Sequence, residues 1–248
     1  MKLATWNVNG IRAREAQVHE WIARERPDVV CLQELKASPD QIPAALFGID
    51  GYWSHWHGGK GYSGVALHVS HAIAPDAPVF AHPEFDFEHR IATVQLGDLT
   101  VASVYVPNGG KDFQAKTRFL DAMDAWAAGL QAQGRPLAIL GDINVARADI
   151  DVHPKERKPR AIGQLPEERA RIERLLGHGF VDVGRATDPA NDGLFTWWPP
   201  WRNMRERNIG WRLDYVFASA ALAARATACL VQKDVGTSDH APVMATFV

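Results

Sequence analysis

The chain has 248 residues, 46% of them hydrophobic and 23% charged, with a formal net charge of -2. That composition suits a globular protein with a sizeable core, and the charge excludes a polycation that would grip nucleic acid with its whole surface. Two cysteines exclude a disulfide framework and a cysteine-type zinc site, and no apolar run approaches the length of a membrane span.

The N-terminal MKLATWNVNG enters a strand pattern at once, without an apolar signal region, so a soluble cytoplasmic protein is expected. Lys2–Val8 alternates as a strand and leaves through the turn-rich Asn7-Val8-Asn9-Gly10. Ile11–Arg26 places Val18, Trp21 and Ile22 on one helical stripe, and Pro27 stops it. Asp28–Glu34 is a dry strand that delivers a carboxylate at its carboxyl end. Burying an unpaired carboxylate is costly, so Glu34 implies a rim, a partner or a metal. His55–Gly64 is glycine-rich and predicts an exposed loop, followed by a strand at Val65–Val69. Pro75–Arg90 is broken by prolines and reads as irregular. Ile91–Leu96 and Leu99–Val106 form a hairpin around Gly97-Asp98.

Asp112 is placed to cap a helix whose stripe is Phe119, Met123, Trp126 and Leu130, ended by Gly134. Leu137–Leu140 is an apolar run too short for a helix and reads as a buried strand. It stops at Gly141, and Asp142 and Asn144, two apart, then share a face at the strand end. Ligands and chemistry collect at such carboxyl ends in open α/β folds. An Asx-type turn would explain this pair alone. A second helix runs from Pro166, with Glu167 and Glu168 in its first turn, to Gly177. Phe180–Val183 is a short strand. Leu194–Asn208 interleaves aromatic rings with arginines, Gly210–Phe217 turns from loop to strand at Asp214, and Val243–Phe247 closes the chain after Ser238-Asp239-His240. No internal repeat or low-complexity linker appears, so residues 1–248 read as one catalytic domain.

Six strand ends or loops thus carry polar groups of related kind: Asn7, Glu34, Tyr105, Asp142 with Asn144, Asp214, and Asp239-His240. Together they offer hard oxygen ligands, a histidine and a carboxylate to orient it. Oxygen donors without cysteine suit Mg²⁺ or Mn²⁺ rather than zinc. Magnesium keeps most of its waters and adds substrate phosphate oxygens, which points to phosphoryl chemistry.

At these positions the sequence resembles the exonuclease III-type abasic-site endonucleases of the endonuclease/exonuclease/phosphatase superfamily. The blocks are WNVNG at 6–10, QELK at 33–36, GYSGVAL at 61–67, YVPNG at 105–109, GDIN at 141–144, GWRLDY at 210–215 and SDHAPV at 238–243. They follow the family's order across essentially the whole chain. The resemblance implies an α/β fold of four layers, two mixed β-sheets packed face to face and flanked by helices. It implies that Glu34 is the metal carboxylate, with Asn7, Asp239, Asp142 and Asn144 around the metal and Asn9 close by. It implies that Asp142 activates or orients the attacking water, with Asn144 hydrogen-bonded beside it; the sequence leaves Asp142 and His240 both open as the general base and favours Asp142, because His240 paired to Asp214 should be cationic. His240 then contacts phosphate, Asp214 holds His240, and Tyr105 is the catalytic tyrosine. The implied activity is that of a Mg²⁺-dependent repair phosphodiesterase, with Mn²⁺ as substitute. It incises 5′ to abasic sites, cleans 3′ ends and has 3′→5′ exonuclease activity.

The implied partner is double-stranded DNA with abasic sites or blocked 3′ ends, bound by a monomer. Trp197, Trp201 and Trp211 lie among Arg202, Arg205, Arg207 and Arg212, where the family lines the pocket for a baseless sugar; the alternative is a solvated loop with core tryptophans. Arg12, Lys60 and Tyr62 fall where relatives hold the DNA backbone, with ordinary surface residues as the alternative. The loop after Tyr105 is shorter than in many relatives, and Lys111 and Lys116 are its candidate phosphate contacts. Two competing functions stay open at this level: a phosphoesterase acting on RNA or a small phosphorylated molecule, and a damage-binding protein without turnover.

Overall fold

The apolar runs at Val29–Leu32 and Leu137–Leu140 are continuous because both faces of each strand are covered. Leu3, Val29, Cys31, Val65 and Leu67 point to one side and pack with Val101, Ala138, Leu140 and Val216. Their sequence neighbours Ala4, Val30, Leu32 and Ala66 point the other way, onto Val18, Trp21 and Ile22. This period of two divides the computed structural model, which describes all 248 residues, into layers.

The first sheet has the order β11 (Ala226–Val231), β12 (Val243–Phe247), β1 (Lys2–Asn7), β2 (Val29–Gln33), β4 (Tyr62–Ser70) and β3 (Tyr52–Gly59). Only β1 and β2 run parallel; the other neighbours are antiparallel. The second sheet has the order β5 (Phe80–Ala81), β6 (Ile91–Leu96), β7 (Leu99–Tyr105), β8 (Leu137–Asp142), β10 (Asp214–Ser219) and β9 (Phe180–Asp182), with β7 and β8 parallel. Helices α1 (Glu15–Glu25) and α2 (Ala44–Phe47) cover the first sheet. Helices α3 (Phe113–Ala132) and α4 (Pro166–Gly177) cover the second. Short α5 (Val183–Thr187) and α6 (Ala220–Ala223) follow β9 and β10. This is the four-layer arrangement implied by the sequence blocks.

One polar bridge crosses the dry layer between the sheets. Thr5 Oγ1 donates to Gln33 Oε1 at 3.0 Å, Gln33 Nε2 donates to Ser103 Oγ at 3.1 Å, and that hydroxyl donates to the Leu32 carbonyl at 3.1 Å. All three side chains are buried. The bridge sits one residue before Glu34 and two before Tyr105, so it fixes how the two strand ends face each other. The same end of the sandwich receives Asn7, Asp142 and Asp214.

Two elements differ from the sequence expectation. His55–Gly64 is not an exposed loop: it is most of a hairpin, β3 and β4, turning at Lys60-Gly61. Its glycines serve close approach, since a Cβ on Gly58 would sit 2.3 Å from the Ala37 carbonyl oxygen. Strand β11 is the second: the apolar run around Cys229 is an edge strand, with three intermediate and two exposed residues.

Candidate active site

Gly141 lets β8 come close to β7. Its φ is +149°, and a Cβ there would lie 1.9 Å from the Val104 carbonyl oxygen, so only glycine fits. Asp142 follows, paired across β8 with Tyr105 on one side and Asp214 on the other. Three functional side chains therefore arrive at one level of the sheet.

Asp142 is 1% exposed. Its Oδ1 accepts from the Asn144 backbone N–H at 2.9 Å, and its Oδ2 accepts from Asn7 Nδ2 at 2.9 Å and Asn144 Nδ2 at 3.2 Å. Burial pushes this carboxyl well above the usual carboxylate range; His240 opposes the shift, while Asp214 and Glu34 add to it. Opposite it, His240 Nδ1 and Asp214 Oδ2 are 2.8 Å apart, and His240 Nε2 lies 3.8 Å from Asp142 Oδ2. Burial disfavours the imidazolium, but the Asp214 and Asp142 carboxylates outweigh it and raise His240 to about 10. His240 is thus a buried cation at neutral pH, with Nδ1–H spent on Asp214 and Nε2–H turned toward Asp142. Asp214 is seated by its own backbone N–H on Thr196 Oγ1 at 3.0 Å. The His240 loop is tied to β1 by Ser238 Oγ donating to the Asn7 carbonyl at 2.7 Å and Trp6 Nε1 donating to the His240 carbonyl at 3.2 Å.

Glu34 leaves β2 in the left-handed region, with φ of 57°. Its Oε2 accepts from Asn7 Nδ2 at 3.0 Å and its Oε1 meets Lys36 Nζ at 2.8 Å. Asp239 accepts from Asn9 Nδ2 at 2.8 Å and from Trp197 Nε1 at 3.0 Å. Tyr105 closes the wall. Burial and the nearby Glu34 and Asp142 carboxylates raise its hydroxyl, so it stays a neutral phenol and a hydrogen-bond donor. The Arg90 guanidinium lies 4.8 Å from its ring centre and donates to Tyr62 OH at 2.8 Å.

These groups line a cavity of about 370 Å³ that also exposes Trp197, Trp211, Ile162 and Leu213. Trp197 and Trp211 meet edge to face, 5.6 Å between centres, and form its apolar side. A larger hollow of about 580 Å³ adjoins it beyond Asp239, lined by the Trp198–Glu206 loop and residues 233–239. Its walls lack the Asp142–His240 pair, so the chemistry belongs to the smaller cavity.

The oxygen donors at the cavity suit a divalent cation. Glu34, Asp142 and Asp239 converge on it without a thiolate. Asp142, Asp214 and His240 also cluster within 4.8 Å of one another, but His240 and Asp214 hydrogen-bond each other, so Glu34 and Asp239 are the lining carboxylates outside that set. Asn7 and Asn144, expected around the metal, are hydrogen-bonded to the carboxylates there. Asn7 turns its amide N–H groups on Glu34 and Asp142, and its Oδ1 accepts from the Asn9 N–H at 3.0 Å. The Asn144 amide is used by Asp142, the Val106 carbonyl and Asn108. Both side chains hold carboxylates in place.

Among the expected DNA contacts, Arg12, Lys60, Lys111 and Arg202 are exposed, and Tyr62 is half exposed at its hairpin tip. Three others differ. Lys116 is fully buried, ion-paired to Glu168, and donates to the Asn144 carbonyl at 2.7 Å and the Asn108 carbonyl at 3.1 Å. It carries the Asn144 loop and reaches no phosphate. Arg205 spends its guanidinium on the Lys233, Ser238 and Val235 carbonyls, locking the loop that leads to His240. Trp201 is 57% exposed and lies outside the cavity lining, so it stands on the surface apart from Trp197 and Trp211. Arg212, also counted among the loop arginines, is buried against Asp151 and Asp182. Lys36, Arg90 and Asn108 were missed. Lys36 and Asn108 sit inside the quoted blocks; Arg90 lay in a segment with no periodicity to read.

A face-to-face pair of mixed sheets with a carboxylate-held imidazolium and a second carboxylate at one end defines a metal-dependent phosphoesterase of the hydrolase class. The model of the endonuclease/exonuclease/phosphatase family matches residues 4–240, and the chain belongs to that family. It is 35% identical to a DNA repair nuclease of Danio rerio over 98% of this chain and 81% of that one. It is 33% identical to an exodeoxyribonuclease of Bacillus subtilis over 98% of both. Among solved structures, a 3′-5′ exonuclease of Neisseria meningitidis superposes with a TM-score of 0.90 at 32% identity, covering 100% of this chain and 99% of that chain. An AP endonuclease of Archaeoglobus fulgidus does so with a TM-score of 0.88 at 31% identity and the same coverage. The chain is accordingly a hydrolytic nuclease.

Proposed function

We propose that this nuclease repairs DNA by cutting the phosphodiester 5′ to an abasic site, leaving a 3′-hydroxyl, and that it also clears blocked 3′ ends with some 3′→5′ exonuclease action. The observation that carries the reading is the pairing, in one cavity, of Asp142 and His240, the latter held from behind by Asp214, with the Trp197–Trp211 wall. A phosphodiester repels nucleophiles through its negative charge, so catalysis is mostly positioning and charge neutralisation. An apolar aromatic wall suits a sugar that has lost its base.

Glu34 would hold the divalent ion, magnesium by its oxygen chemistry with manganese as substitute, and Asp142 and Asp239 face the same space. When bound, the ion supplies positive charge to the phosphate oxygens. The remaining work falls to side chains. Asp142, raised toward neutral pH, takes the proton from the attacking water. The water oxygen bonds to phosphorus as the bond to the 3′-oxygen breaks. His240 N–H and the Tyr105 hydroxyl donate to the oxygens that gain charge, and the departing 3′-oxygen takes up a proton from solvent water to become the 3′-hydroxyl. His240, paired to Asp214 and raised by it, is given the donor's part, and Asp142 the base's. Asn7 and Asn144 orient Asp142. Exposed Arg12, Lys60, Lys111 and Arg202 would meet backbone phosphates on either side.

The test is one labelled duplex carrying a tetrahydrofuran abasic analogue, its undamaged twin and a 3′-phosphate version, each incubated with Mg²⁺. Incision at the analogue, an uncut twin interior and removal of the 3′-phosphate are expected. Folded enzyme that cuts none of them, yet hydrolyses an RNA or a small phosphodiester, would reject the DNA reading.

A further inference from the structure

Outside the catalytic cavity, imidazoles gather where the edges of the two sheets meet. β3 ends the first sheet and β5 ends the second. His55 and His57 are two apart on β3 and share a face, and a register shift between His57 and Gly59 re-aims the end of that strand. His82 directly follows β5, with Asp86 in the loop that leads to β6. The His57 and His82 rings stack 3.7 Å between centres. His57 Nε2 lies 2.6 Å from Asp86 Oδ2, and His55 Nε2 lies 3.2 Å from His82 Nε2. One donor atom each from His57, His82 and Asp86 lies within 4.8 Å of the others.

The backbone at Ile91 presets two of these groups. His82 Nδ1 lies 3.2 Å from the Ile91 carbonyl, which accepts its proton and leaves the lone pair on Nε2. Asp86 Oδ1 accepts the Arg90 and Ile91 backbone N–H groups at 2.8 and 3.1 Å, which leaves Oδ2 facing the histidines. Outer hydrogen bonds of this kind fix the imidazole tautomer and carboxylate orientation in metal sites. Metal–nitrogen bonds of about 2.0–2.1 Å place tetrahedral donors about 3.3 Å apart, close to the His55–His82 separation; the 2.6 Å His57–Asp86 contact is a hydrogen bond whose proton the ion replaces as the two groups part.

We propose that His57, His82 and Asp86 bind one divalent transition-metal ion of the zinc class, with His55 as the adjacent fourth donor. Imidazole nitrogens select such ions over magnesium, so this site and the oxygen-lined cavity take different metals. The ion staples β3 to the loop between β5 and β6. That loop ends at Arg90, which touches both Tyr62 and Tyr105, so the staple also stiffens one side of the active-site rim.

Metal-stripped protein is titrated with Co²⁺ in excess Mg²⁺, and visible absorption and Tm are followed. One equivalent should give the intense d–d bands of four-coordinate cobalt, which Zn²⁺ then displaces while raising Tm. Bands and Tm shift should survive Glu34→Gln and vanish in His82→Ala; His57→Asn is the second variant if the first does not fold. Folded wild-type protein without these bands, bands that survive in the histidine variants, or bands lost in Glu34→Gln overturn the proposal.

Discussion

Replacing Lys116 by methionine removes a cation from a place where nothing else can supply one. Lys116 and Glu168 are both fully buried as an ion pair. Methionine fills the aliphatic volume but leaves the Glu168 carboxylate unpaired in the interior, and breaking such a pair from one side costs about 3–5 kcal/mol. Two hydrogen bonds to the Asn144 and Asn108 carbonyls go with it. A loss of about 4 kcal/mol corresponds to a Tm fall of about 12 °C for a domain of this size. Activity of the surviving folded fraction falls as well, because the Asn144 loop positions Asp142. Urea unfolding and thermal melts give the first quantity, and kcat under folded conditions gives the second. Pairing Lys116→Met with Glu168→Gln removes the orphaned charge and should restore much of the stability. A single variant with unchanged Tm but weaker DNA binding, and a salt dependence reduced by about one phosphate contact, would show that Lys116 is a surface phosphate ligand and that the burial argument is wrong.

Three further outcomes follow from particular contacts. Asp214→Asn removes the carboxylate that raises His240 to about 10; the wild-type pH profile of kcat/KM should hold its alkaline limb near that value, and the variant's limb should move toward about 6.5. The His240 cation correspondingly adds stability that is full below about pH 6.5 and is lost as pH rises toward 10. His68 has the opposite sign. It is fully buried, and burial first, then His55, lowers it to about 3, so the unfolded chain takes up a proton that the folded chain refuses. Between pH 7 and 5 this alone removes about 2 kcal/mol, and urea unfolding of His68→Leu should show a pH-dependent loss smaller by that amount. Trp211→Ala should lower kcat/KM on the abasic duplex about tenfold, equivalent to about 1.4 kcal/mol for a lost edge-to-face wall, while 3′-phosphate removal changes less; equal losses on both substrates would deny the wall a part in sugar recognition.

What could be read from the sequence, and what could not, divides along physical lines. Glu34 and Asp142 were legible because a dry apolar strand that ends on a carboxylate is an anomaly in one dimension. Their convergence was not, since β2 and β8 belong to different sheets and only the Gln33–Ser103 bridge shows how they face. Lys116 and Arg205 misled because a basic residue near a phosphate site reads as a contact, and sequence does not say whether its charge is already spent inside. In Lys116 a clue existed: it lies on the helical stripe four residues before Leu120, and so on a buried face. The β3–β4 hairpin was masked by glycines that serve close packing rather than a loop. The histidines at 55, 57 and 82 gave no signal, because what assembles them is the meeting of two sheet edges.

The account rests on Asp142 as the group that handles the attacking water in a metal-assisted cleavage, so the decisive measurement compares wild type with Asp142→Asn on the same abasic duplex, in Mg²⁺ and in EDTA. Circular dichroism and DNA binding are measured in parallel to confirm that the variant is folded. The account predicts cleavage only by wild type with Mg²⁺, and a loss of at least about 10²-fold in kcat for a variant that still binds the duplex. Near-normal turnover by folded Asp142→Asn, or full activity in EDTA, would contradict it.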